Sequence, residues 1–293
     1  MSQTRPNEID LQIQPRETKI DDHTIFRFLP YVKKRHVGPF VFLDYMPAST
    51  ENTAGLSVRP HPHIGLSTLS YLFGGQALHR DSLGNEIILK PGDVNWMTAG
   101  HGIVHSERTP ENLAENERHQ NLLQFWVALP IDKEDMAPEF FHHPKSEIPS
   151  FSHDGVHVDL IAGKALGHVS PVRIYSKLVF MSLRAEQDAT FSYDSEDQTI
   201  ALLVIAGSVR VGTQNFAQHD LVVFKTGACL ELRAEAGARW ILFGGRDFPE
   251  ERFIHWNFVS SSREKIEAAK TRWRDQKFPP VPNETEFIPL PEN

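Results

Sequence analysis

The chain has 293 residues, with 40% hydrophobic and 23% charged side chains, a composition near the average of soluble globular proteins that excludes disorder as its main theme. Its net charge of -8, from 30 Lys and Arg against 38 Asp and Glu, excludes a general nucleic-acid binder or a protein of anionic membrane surfaces. One cysteine, Cys229, stands against 15 histidines, so intrachain disulfides, zinc ribbons and Cys-ligated clusters are excluded, and any metal must be held by nitrogen and oxygen.

The first 22 residues are polar and carry charges of both signs, without the apolar stretch of a signal peptide. The longest apolar run, Ile200 to Ala206, is far short of the ~20 residues of a membrane span. The expectation is a cytoplasmic, soluble protein with no membrane contact. Strand-length apolar segments follow at Thr24–Phe28, Phe40–Leu43, Thr68–Leu72, Glu86–Leu89 and Leu122–Leu129. After residue 150 they recur at Val156–Ile161, Leu178–Ser182, Ile200–Ile205, Leu221–Val223 and Trp240–Phe243. Gly, Pro, Asn and Asp clusters such as Gly74-Gly75 and Pro91-Gly92-Asp93 punctuate them, which predicts an all-β sandwich or barrel.

Lys133–Pro149 is charged, holds three prolines and lacks periodicity, so it reads as a crossing between an N-terminal domain, 1–133, and a C-terminal domain, 134–293. The second half repeats the strand rhythm of the first without its histidine pairs, as a degenerate duplicate would. Near the end, Ser261-x-x-Glu264 reads as a capping box before a short helix over about 262–274. Five prolines then mark residues 278–293 as an extended tail.

The chemistry concentrates in Arg59-Pro60-His61-Pro62-His63 and Gly100-His101-Gly102-Ile103-Val104-His105-Ser106-Glu107. On an extended strand, side chains at i and i+2 share a face, so His61 and His63 point together, as do His105 and Glu107. Pro62 cannot donate to a ladder and marks an edge strand or strand start. Three imidazoles and a carboxylate form a mixed set suited to iron(II), manganese, nickel, copper or zinc and poor for calcium or magnesium. On an octahedral ion, four protein ligands leave two positions for substrate or dioxygen.

The run from His61-Pro62-His63-Ile64-Gly65 through Pro91-Gly92-Asp93 and Trp96-Met97-Thr98-Ala99-Gly100 to His105-x-Glu107 resembles the signature of the pirin family within the cupin superfamily. Gln124-Phe125-Trp126-Val127, Gly38-Pro39-Phe40 and Leu43-Asp44 extend the likeness. The resemblance implies two tandem cupin domains, jelly-roll antiparallel β-barrels with a short C-terminal α-helix, the first holding one metal, usually iron, and the second lacking ligands. It places the ligands on His61, His63, His105 and Glu107, the set that spacing also selects. It departs from the family at Ser67, where an acidic residue is usual, and at Ile64, where arginine is common.

Family members are associated with quercetin 2,3-dioxygenase activity, which implies a small aromatic substrate, dioxygen, and Glu107 as ligand and base. Others act as metal-dependent regulators of a transcription factor or metabolic enzyme, which implies a protein partner instead. The chain is expected to work as a monomer without direct nucleic-acid contact. His101 and Gln124 are candidates to orient ligands or bind substrate, and Trp96, Met97 and Phe125 are candidates to line a pocket, against the alternative that they are core. His142-His143 reads as a loop pair facing opposite ways, and His23, His36, His79 and His119 read as single structural or surface histidines.

Overall fold

A computed structural model describes residues 8–20, 23–48, 55–113 and 119–292. Most of the first 22 residues lie within it, but Met1–Asn7 and Asp21-Asp22 fall outside the described residues. The paired strands are antiparallel, and a single α-helix, Arg263–Arg274, occurs among the described residues. Among the described residues, no helix is long and apolar enough to cross a membrane. The chain forms two cupin domains, each an open sandwich of a larger and a four-stranded sheet and not a closed barrel.

The two compact units interleave along the chain: one gathers residues up to Arg16, Phe26–Val41 and Ser146–Phe248, and the other Glu17–Ile25, Phe42–Lys145 and Pro249 onward. In the histidine-bearing unit, the four-stranded sheet runs Ser57–His63, Ile103–Arg108, Ala77–Asp81, Glu86–Leu89. Its larger sheet has seven strands, with Leu66–Gly74 between Val94–Thr98 and Asn121–Ala128. Ser57–His63 is an edge strand, as its two prolines require. Glu139–His143, expected as part of a loop, is an edge strand on Val94–Thr98. Its Phe140 packs against Met97, Ala99 and Ile103, an anchor that the flanking prolines obscure in the sequence.

The helix belongs to this unit because its apolar stripe has no other place to go. Ile266, Ala269 and Trp273 recur at helical spacing and bury with Ile64, Val104, Phe258, Phe278 and Val281. Its cap is Ser262, whose side chain accepts from the Lys265 N–H at 3.3 Å. Ser261, the expected cap, is drawn instead to the buried Glu134, which accepts its backbone N–H at 2.7 Å.

The other unit pairs an eight-stranded sheet with the four strands Ala189–Asp194, Cys229–Ala234, Ser208–Val211 and Gln214–Ala217. Its interior is filled by Val, Leu, Ile, Phe191, Tyr193 and Trp240. Cys229 is partly buried on one of these strands.

Candidate metal centre

Three of the four histidines in the two motifs converge. Ser57–His63 and Ile103–Arg108 pair so that His61 stands opposite His105 and His63 opposite Ile103. The register then slips: Glu107 faces Val58, so Arg59 and Pro60 together oppose Ser106 in a bulge. The bulge takes the Arg59 carbonyl out of the ladder and leaves it to His61 Nδ1, 2.9 Å away. From the hairpin Phe253–His255 and Phe258–Ser260, the Asn257 carbonyl meets His63 Nδ1 at 3.1 Å. Since a carbonyl only accepts, both imidazoles carry their proton on Nδ1 and turn a bare Nε2 inward.

One potential ligand atom from each of His61, His63 and His105 lies within 4.8 Å of the others. His63 Nε2 and His105 Nε2 are 3.2 Å apart. Two metal–nitrogen bonds of about 2.1 Å at a right angle would set their nitrogens about 3 Å apart, so the spacing is that of two ligands on one ion. Burial pushes the His61 imidazole down to about 4 and those of His63 and His105 well below the usual histidine value. The rings are therefore neutral, and converging neutral lone pairs want a cation. His105 Nδ1 is buried and has no partner among the described residues. The donor set fits a divalent transition metal.

Glu107 shares the strand face of His105 but stands outside that three-histidine group. The Ser70 hydroxyl lies 2.9 Å from its carboxylate and 2.8 Å from the Gln124 side-chain amide. Burial raises the Glu107 carboxyl above the usual glutamate range, against the lowering influence of His79 and Ser70. Gln124 thus reaches the carboxylate through Ser70, while backbone carbonyls orient His61 and His63.

His101 does not join the cluster. It is exposed, with Nδ1 3.0 Å from the Met136 carbonyl. Trp96, Met97 and Phe125 are fully buried in the packing of the unit, at 1%, 1% and 0% exposure, and Met97 packs with Ala99, Ile103 and Phe140. His142 bonds Asn95 at 2.8 Å on the edge strand.

Two neighbours were missed. His79, read as a lone histidine, is buried with its ring 5.3 Å from that of His105 and stacked on Phe140 at 4.4 Å. Its partner is Asp81, 3.1 Å away. Trp126 meets His63 in a T-shaped contact at 5.2 Å and stacks on Phe42 at 4.0 Å. The signal for both was the i, i+2 rule: His79-x-Asp81 repeats the HxE spacing, and a strand that turns Gln124 inward turns Trp126 inward with it.

Among the described residues, the other unit carries no such set. Where His61 faces His105, its four-stranded sheet pairs Tyr193 with Leu230 and Phe191 with Leu232, all buried in the apolar core.

The Pirin family profile matches residues 22–127, and that of the pirin C-terminal cupin domain matches residues 180–279. A pirin-like protein of Caulobacter vibrioides is 42% identical over 290 residues, which cover 97% of this chain and 100% of that one. Pirin of Mus musculus is 32% identical over 225 residues, covering 74% of this chain and 76% of that protein. A crystal structure of quercetin 2,3-dioxygenase from Acinetobacter baumannii superposes with a TM-score of 0.91 at 31% identity, over 98% of this chain and 97% of that one. By sequence along both domains and by fold, the chain belongs to the pirin family.

Proposed function

We propose that this protein is a metal-dependent dioxygenase that opens the ring of a quercetin-like flavonol or another enolisable aromatic, with one iron(II) held by His61, His63, His105 and Glu107. Manganese, nickel, copper and zinc fit the same donors, and cellular supply favours iron. The observation that carries the reading is the convergence of inward Nε2 atoms on His61, His63 and His105, two of them fixed by carbonyls. The likeness to the Acinetobacter quercetin 2,3-dioxygenase supports the substrate class. A single cysteine supports a cytoplasmic setting.

A bound transition metal supplies Lewis-acid polarisation of the flavonol hydroxyl and contact with dioxygen. The protein supplies the rest. Glu107, buried on the strand face of His105, takes the hydroxyl proton. The resulting anion is electron-rich enough to combine with dioxygen, and ring opening releases carbon monoxide. The Arg59 and Asn257 carbonyls keep His61 and His63 in the ligating tautomer.

Aerobic incubation of iron-loaded protein with quercetin, followed by its visible absorbance, tests the reading, with metal-free protein and His61→Ala as controls. Metal-dependent bleaching absent from both controls supports it. One equivalent of bound metal with no turnover of any flavonol overturns the dioxygenase claim in favour of a regulator that docks on a protein partner. Binding of a second equivalent would contradict the apolar interior of the other unit.

A further inference from the structure

The bulge that aims the ligands is held from outside by a segment nearly two hundred positions downstream. Ser106 lies between His105 and Glu107 and, by strand alternation, turns to the opposite face of the sheet. There its hydroxyl donates to Glu284 at 2.8 Å. Arg108, on the same outer face, donates to the same carboxylate through Nε at 2.9 Å and Nη2 at 2.7 Å. Arg80, opposite Ser106 on the neighbouring strand, is 3.7 Å away. The Glu284 side chain is only 6% exposed, although it belongs to a proline-rich stretch without regular structure.

The facing strand is held as well. The Ile288 N–H donates to the Pro60 carbonyl at 2.8 Å, and Pro60 is one of the two residues that oppose Ser106 in the bulge. Ile288 is itself fixed, because its carbonyl accepts from Trp273 Nε1 at 3.0 Å. A bulge interrupts its ladder, and Pro60 has no N–H to give. Ladder bonds therefore leave this stretch loosest where His61, His105 and Glu107 must be held to within about 0.5 Å of a common geometry.

We propose that residues 278–290 are a positioning element of the metal centre, with Glu284 as the residue that locks the bulge from its outer face. The proposal rests on the metal-site reading above. It assigns Glu284 no contact with metal or substrate; it acts through Ser106 and Arg108.

The test is cobalt(II) titration of the full-length protein, reading both affinity and the visible d–d spectrum, which reports ligand geometry and not stability. Glu284→Ala is expected to weaken binding about tenfold, the lower end for groups that orient ligands, and to shift the d–d bands. Ser106→Ala, which removes one bond and leaves the arginine pairs, gives a smaller shift in the same direction and keeps the proposal testable should Glu284→Ala fail to fold. Lys277→Ala is the control: its exposed ammonium pairs with Asp275 at 2.8 Å, outside the proposed element, so affinity and spectrum stay at wild-type values. Wild-type binding with unchanged affinity and bands in Glu284→Ala and Ser106→Ala overturns the positioning role alone. No cobalt binding by the wild type overturns the metal site itself.

Discussion

His79 lies directly across the ladder from Glu107 and donates through Nε2 to Asp81, 3.1 Å away. Asp81 is completely buried. Burial alone would raise its carboxyl, but hydrogen bonds from His79 and Asn85 outweigh it and hold the group below the usual aspartate range. The carboxylate also accepts the Leu83 and Asn85 backbone N–H groups at 2.9 and 3.1 Å. One side chain therefore closes the turn after Ala77–Asp81 and orients the histidine beside the three-histidine group.

Asp81→Ala strips several buried donors of their acceptor at once. Each such loss costs about 1–3 kcal/mol, so a total loss of roughly 3 kcal/mol is expected after relaxation. Urea unfolding measures it. A change below about 1 kcal/mol would mean that water replaces the carboxylate in this turn.

Ser70→Ala removes the hydroxyl between Glu107 and Gln124. The three imidazoles are untouched, so metal still binds, but about tenfold more weakly if Glu107 completes the set. Equal affinity in wild type and variant would mean that Glu107 does not contribute to holding the ion.

The three-histidine group was legible in the sequence because HxH and HxE on extended chain leave little freedom: alternation alone puts His61 with His63 and His105 with Glu107. The supporting groups were not. The carbonyl that fixes His63 comes from Asn257, 194 residues away, and no side-chain pattern marks a carbonyl. The bulge at Arg59-Pro60 depends on pairing register, which sequence alone does not set. Strand rhythm gave the all-β class, and the capping-box pattern gave the helix. It did not distinguish open sandwiches from closed barrels, because closure depends on how sheet edges meet, and it put the cap on Ser261 because the pull of the buried Glu134 is a tertiary effect.

Gly65 closes the turn after the histidine motif at a φ of +67°, and a Cβ there would sit 2.0 Å from the Val259 carbonyl oxygen. Both the left-handed backbone and the contact with main chain oppose any side chain. Gly65→Ala is expected to cost at least about 2 kcal/mol and to disturb metal binding, since Val259 lies in the hairpin that supplies Asn257. Thermal unfolding and cobalt titration would both register the change, and wild-type values in both would show that the hairpin yields freely.

On the other unit, Asp197 pairs with Lys177 at 2.6 Å and with Arg246, and these bonds hold its carboxyl down to about 2. A depressed carboxyl contributes stability that is complete above its unfolded value of about 3.9 and is lost as pH falls through the folded one. Asp197→Asn should therefore flatten the fall in stability between about pH 4 and 2. The pairs are exposed, so the difference between wild type and variant should shrink in 1 M salt, where the screening length is about 3 Å. An unchanged acid slope in low salt would show that the unfolded chain keeps the same pairing.

Glu134 is the buried counterpart of these surface pairs. Its side chain is 1% exposed, and that of Arg252, 3.5 Å away, 4%. The carboxylate accepts from Ser260 Oγ at 2.9 Å, Ser261 Oγ at 3.1 Å and the Ser261 backbone N–H at 2.7 Å, so it fixes the chain between the Asn257 hairpin and the helix. Breaking a buried ion pair from one side costs about 3–5 kcal/mol, because the remaining charge stays desolvated. Glu134→Ala should lose about that much in urea unfolding. Glu134→Gln keeps an acceptor for the serines while removing the charge, so it should lose distinctly less if the serine bonds dominate and nearly as much if Arg252 does. Because the hairpin carries the carbonyl that orients His63, Glu134→Ala should also weaken cobalt binding, whereas wild-type affinity in a destabilised protein would show that the hairpin is held by Ile64, Phe258 and the helix alone.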